Sequence, residues 1–177
     1  QRALEVVKEK NPGLDEATMQ DIAFKVALGA IKYPMISREN TKIVTFDWDS
    51  ALDFNGQSAP YIQYASVRAN SILRRATESE GISAKFTYPL EPSEINLIEL
   101  LSKLPDEVSK SAKEFRPSLL AAYAYELAKA FNDFYNQCQV LKAEGDVRES
   151  RLAIVQATHI CLEKTLELLG IQAPQVM

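Results

Sequence analysis

The sequence predicts an all-α protein, a bundle of helices, and three observations carry that prediction. Apolar residues recur at steps of three and four along nearly every segment, the repeat of one helical face. Proline, or asparagine with glycine, closes most of those segments. One short run alone, "KIVTF" at residues 42–46, reads as extended chain. The sequence contains no internal repeat and no low-complexity tract.

At the N-terminus, "QRALEVVKEKN" is a short amphipathic helix stopped by Asn11, Pro12 and Gly13. "LDEATMQDIAFKVALGAIKY" places Met19, Ile22, Ala23, Val26, Ala27 and Ala30 at helical spacing, with Asp15 as cap and Pro34 as far end. Its small residues Ala27, Gly29 and Ala30 predict close approach of a neighbour. Asp47 or Asp49 is expected to cap a short helix through Ala51 and Phe54, ended by Asn55-Gly56. A helix over Ala59–Ala76 should close near Gly81, and a connector runs from Ile82 to Pro92. "SEINLIELLSKL" is expected to begin at Ser93 and stop at Pro105, and "DEVSKSAKEF" forms a further helix.

Two long helices finish the chain. The first begins at Pro117, a residue suited to the first helical position. Its seam is Leu120, Tyr123, Leu127, Phe131, Phe134, Cys138 and Leu141. The second opens with Asp146 and Glu149 in capping-box spacing and ends at Gly170. Its seam is Leu152, Val155, His159, Leu162, Leu166 and Leu169. Alternating steps of this kind suit helices packed at shallow angles.

A chain of 177 residues is long enough to bury about 70% of its unfolded surface without a staple. Cys138 and Cys161 lie far apart in helical patterns, which points to free thiols in a reducing compartment. No apolar run of membrane-spanning length is present, so a cytoplasmic protein is expected. The net charge of −4 counts against a general coat for nucleic acid and leaves room for a local basic patch.

The stretch "APYIQYASVRANSILRRA" carries the sharpest functional signal. At 100° per residue, Ile62, Ala65, Ala69, Ile72, Leu73 and Ala76 share one apolar arc. Tyr61, Tyr64, Arg68, Ser71 and Arg75 fill the arc beside it, spaced three and four apart. Two readings fit. A boundary stripe, with tyrosines lapping the core edge and arginines snorkelling to water, is the commoner arrangement. A nucleic-acid platform would use the rings for bases and the guanidinium groups for phosphates.

Residues for bond chemistry are sparse. The single histidine, His159, lies on a helical seam, where a packed, hydrogen-bonded role is expected. Cys161, two residues on, faces elsewhere, so no zinc site is expected. Asp47, Asp49 and Asp53 in "FDWDSALDF" suit helix capping better than magnesium binding. There is no glycine-rich phosphate loop and no G-x-S-x-G elbow. The expectation is a binding module with no catalytic residue and no metal site.

"TFDWDSALDFNGQSAPYIQYASVR", then "ELAKAFNDFYNQCQVL" and "LLGIQAPQVM", resemble the C-terminal half of arginyl-tRNA synthetases, in the same order and at the same distances. The resemblance implies a fragment of a class I enzyme that joins arginine to its tRNA with ATP and magnesium. The His-Ile-Gly-His and Lys-Met-Ser-Lys-Ser signatures of that chemistry are absent, so the fragment needs no cofactor and is not expected to catalyse. Residues 1–54 would be the helical tail of the catalytic half, with 55–177 the all-helical anticodon-binding bundle. If so, the Met19, Ile22 and Val26 face would lie exposed without the catalytic domain.

The resemblance also favours the platform over the boundary stripe. It implies contacts to the anticodon loop from Tyr61, Tyr64 and Arg68, and from the terminal Met177. After the first long helix this chain carries Cys138 and Lys142 where relatives can carry aromatic residues. Lys142 would then meet phosphate, and Cys138 would stay in the core. The implied partners are arginine tRNA and the catalytic domain of the same polypeptide, with a monomeric protein and no membrane. A helical protein-interaction domain is the alternative, since Tyr and Arg are enriched at such interfaces too. A cysteinyl-type domain would share the fold but not the "DWDSALDFNGQSAPYIQYA" match.

Overall fold

The computed structural model describes residues 1–39, 41–76 and 84–177. Those residues form eight helices and no strand. They are α1 (Arg2–Lys10), α2 (Glu16–Ile36), α3 (Trp48–Ala51), α4 (Ala59–Ala76), α5 (Pro92–Ser102), α6 (Leu104–Glu114), α7 (Pro117–Gln137) and α8 (Gly145–Leu168). The "KIVTF" run is irregular chain, and the expected end near Gly81 lies outside the described residues.

The main core lies where α4, α5, α7 and α8 meet. α4 packs on α8 and α7, α5 packs on α7 and α8, and α6 packs on α7. Both long seams point inward as the three-and-four spacing predicts, except for the exposed Leu141 and the half-buried His159. Leu127, Phe131, Phe134, Val155, Leu162 and Leu166 are all fully buried. Each large side chain of this kind stabilises the fold by about 1.5–3 kcal/mol through area removed from water. Tyr33 of α2 reaches into the same core and donates its hydroxyl to the Ala121 carbonyl at 3.1 Å. Burial pushes its pKa up to about 12.

A second cluster joins Ala3 and Val7 of α1 to Met19, Ile22, Ala23 and Val26 of α2. This corrects the expected exposed patch: Val26 is fully buried and Met19 only 8% exposed. The turn at Asn11–Gly13 folds α1 back over that face, and Leu52, Phe54 and Met177 close its rim. The apolar face that α2 leaves to solvent is the opposite one, Phe24, Ile31 and Met35.

Several helix ends differ from the sequence reading. Pro34 does not end α2; it sits in the last turn, and the Ser37 N–H closes on the Tyr33 carbonyl at 2.8 Å. Pro105 starts α6 rather than stopping α5, because a proline in a first turn has no needed N–H to lose. α5 begins at Pro92, with Glu91 and Glu94 forming a capping box ahead of Ser93. α8 opens from Glu144 without a side-chain cap; Asp146 instead accepts a 2.8 Å hydrogen bond from the Thr87 hydroxyl. α7 ends at Gln137, so Cys138 is its cap and Leu141 lies beyond it, exposed. Asp15 and Asp47 cap α2 and α3, and α3 ends at Ala51, short of Phe54.

Candidate nucleic-acid interface

An open groove of about 510 Å³ lies between α4, the end of α7, the loop at residues 138–142 and the C-terminal segment. Its position is set by α4. The Ile62/Ala65/Ala69 arc packs inward, so the neighbouring arc with Tyr64, Arg68, Ser71 and Arg75 becomes one wall. Arg68 stands in the middle. Its guanidinium carbon lies 4.6 Å from the Tyr64 ring centre and 4.9 Å from that of Tyr135 on α7. Its Nη1 donates to Asn132 Oδ1 at 2.7 Å. A guanidinium held over two rings and tied by one hydrogen bond is fixed in orientation before any ligand arrives.

Tyr64 is half-buried, its ring meeting Phe54 edge-on at 6.5 Å between centres. Tyr135 is the more open ring, at 42% exposure. Arg74 and Arg75 bring two further cations to the groove from the last turn of α4, where they also suit the helix dipole. Lys142 enters from the loop opposite, and Met177 forms part of the floor with Val176. Among the described residues that line the groove, four carry positive side chains and none is an aspartate or glutamate. In a chain of net charge −4 that is a strong local segregation.

The fold thus brings together Tyr64, Arg68, Lys142 and Met177, which the sequence singles out across 113 positions. It places Tyr61 differently. That ring packs half-buried against Tyr125 at 5.4 Å, outside the groove lining. Cys138 is a buried member of the core, with Ser93 Oγ 3.5 Å from its sulfur, and borders the groove only from beneath. His159 is half-buried, its Nδ1 3.4 Å from Ser66 Oγ.

Sequence reasoning missed Tyr135, Asn132 and Asn136. It tracked the buried seam of α7 through Phe131 and Phe134 and passed over the boundary beside it. The signal was there: "NDFYN" sets Asn132, Tyr135 and Asn136 three and four apart, as Tyr64 and Arg68 are on α4.

The loop opposite α4 is held by a buried ion pair. Glu94 is fully buried, and Arg151 Nε donates to its Oε1 at 2.9 Å. The Tyr88 hydroxyl donates to the same oxygen at 2.8 Å, and the Glu91 N–H to Oε2 at 2.8 Å. Burial alone would raise the Glu94 pKa. The Glu91 amide, Arg151 and Tyr88 outweigh burial and hold it below the ordinary carboxylate value. Arg151 Nη1 also donates to the Gln139 carbonyl at 3.1 Å, which ties this pair to the groove's loop.

Comparison with known proteins points to one family. Over 99% of its length the chain is 46% identical to an arginine–tRNA ligase of Thermococcus sibiricus, of which it spans 28%. It is 45% identical to the arginine–tRNA ligase of Pyrococcus abyssi, again over 99% of its length and 29% of that protein. The fold superposes on Thermus thermophilus arginyl-tRNA synthetase with a TM-score of 0.92 and 38% identity, over 99% of this chain and 30% of that one. It therefore spans less than a third of the relatives it matches. The model of the DALR anticodon binding domain matches residues 62–177. Since that match takes in most of α4, all of α5 to α8 and well over half of the sequence, the chain belongs to the DALR anticodon binding domain family.

Proposed function

We propose that this chain is the anticodon-binding region of an arginine–tRNA ligase, which positions arginine tRNA for aminoacylation by a catalytic domain of the same polypeptide. The observation that carries the proposal is the groove: among the described residues that line it are two tyrosines, four cations and no acidic side chain, in an acidic protein. Anticodon bases lose their stacking partners when the loop is splayed, and they need flat surfaces in return. The Tyr135 and Tyr64 rings and the Arg68 plane offer those surfaces; Arg74, Arg75 and Lys142 offer charge to the phosphates. No bond is made or broken in this step.

Residues 1–54 would then belong to the catalytic half, with the exposed Phe24, Ile31 and Met35 of α2 facing the remainder of that half. ATP and magnesium would bind in that half, in the cytoplasm. Among the described residues no helix is long and apolar enough to cross a membrane. Filter binding of this chain with an arginine tRNA and with an unrelated tRNA tests the proposal. Preference for the arginine tRNA is the expected result; equal or absent binding of both would refute it and favour a protein partner for the groove.

A further inference from the structure

The residues after α8 do not trail away. Gly170, in the left-handed region at φ 66°, turns the chain back, and Ile171 and Pro174 are buried. Three polar ties hold the C-terminal segment from Gly170 to Gln175. Lys32 Nζ donates to the Gly170 carbonyl. Gln63 Nε2 donates to the Gln172 carbonyl at 2.6 Å. Asn70 Nδ2 lies 3.5 Å from Gln175 Oε1. The segment ends with Met177, which packs against the α1/α2 cluster and also lines the groove. It is a strap that crosses from α2 to the candidate RNA site.

Gln63 is the buried tie. It is fully enclosed, and the same Nε2 also donates to the Lys25 carbonyl of α2 at 3.2 Å. Both partners are carbonyl oxygens, so the amide must turn its NH₂ toward them. Its Oε1 has no hydrogen-bond partner among the described residues. A buried acceptor left unpaired is unfavourable, and an apolar side chain of that size would avoid it. The two donations are what the glutamine supplies. Gly29, one turn on from Lys25, makes the approach possible. A Cβ there would stand 3.2 Å from Gln63 Nε2, 3.1 Å from Ala59 Cβ and 3.2 Å from Ile171 Cγ2.

We infer that Gln63, with Lys32 at the start of the strap, is a positioning residue that clamps the C-terminal segment to α2 and thereby sets Met177 in the groove. The part of this inference that concerns RNA rests on the groove's proposed function as an anticodon-binding site. The clamp joins carbonyls of residues 25 and 172, so it makes one wall of the groove depend on the packing of α2.

The test uses the whole chain. It contains three methionines, so a methyl-labelled sample gives a spectrum in which Met177 is read directly and Met19 and Met35 report on the rest of the fold. In Gln63→Leu the Met177 methyl is expected to narrow and move to its unstructured position while Met35, outside the cluster that Met177 touches, stays. Affinity for an arginine-tRNA transcript should fall about fivefold, the order expected when the strap loses its one buried hydrogen bond to Gln63. Removing residues 174–177 as well should add no further loss. An unmoved Met177 signal, or losses that multiply in the combined variant, would overturn the clamp. Should Gln63→Leu fail to fold, Lys32→Ala, at a half-buried site, is read for the same movement of Met177. If the unaltered chain binds no tRNA, the groove's proposed function fails, and the methyl spectrum alone decides the clamp.

Discussion

Arg68 shows what a single side chain adds to the groove. A lysine in its place would keep the charge and lose the plane that lies over Tyr64 and Tyr135. Arg68→Lys is therefore expected to weaken tRNA binding by roughly 5- to 150-fold if the plane stacks on a base, the range for one stacking partner. Competition binding against the unaltered chain measures this, and full affinity in Arg68→Lys would leave only the charge in play. At this scale the sequence was informative about Tyr64 and Arg68, because both sit on one helix and their spacing alone makes them neighbours. It could not show Tyr135 beside them. That contact spans α4 and α7, and no spacing rule links positions 67 residues apart.

The helices hold the site through ties that their own sequences do not announce. α5 reads as a simple amphipathic segment, yet Glu94 in its first turn is a fully buried carboxylate. Its partner Arg151 comes from α8 and holds the groove's loop at Gln139. Arg151→Met leaves that carboxylate enclosed without its cation, a change that costs about 3–5 kcal/mol. For a protein of this size the melting temperature should drop by roughly 10 °C, at about 2–4 °C per kcal/mol. Scanning calorimetry checks this, and a drop of a degree or two would show that water reaches Glu94. The prolines teach a related lesson. Pro34 and Pro105 mark helix boundaries from sequence, and each stands inside a helix here, one in a last turn and one in a first. Local rules constrain which positions a proline tolerates, not which side of it the helix lies.

The molecule as a whole is an acidic body with a basic groove, and under the proposed function that charge distribution would govern how tRNA binding responds to salt. Binding should weaken as salt rises, with a log–log slope no steeper than about −2, roughly 0.7 for each of three phosphates. A slope near zero would exclude phosphate contact by Arg74, Arg75 and Lys142; titration at several salt concentrations measures it. Alkaline stability is a second property of the whole fold. Burial pushes Tyr33 up to about 12 from an ordinary 10.0. Burial and then the Glu94 carboxylate push Tyr88 to about 12 as well. The folded state therefore holds these protons more tightly than the unfolded chain. Their contribution is complete below pH 10 and is lost as pH rises from about 10 to about 12. Melting curves across that window should fall steadily, and Tyr33→Phe should make the fall shallower. An identical fall in that variant would place the loss elsewhere.

The helices, their buried seams and the tyrosine–arginine stripe on α4 were legible in the chain itself. Those depend on the 3.6-residue period and on caps, both properties of near neighbours along the backbone. Packing between helices settled the rest: Lys142, Tyr135 and Met177 face that stripe while Tyr61 turns to Tyr125, and α1 covers the inner face of α2. Which helices cross, and where, is set by many weak contacts between distant residues acting at once. No single stretch of sequence contains that sum.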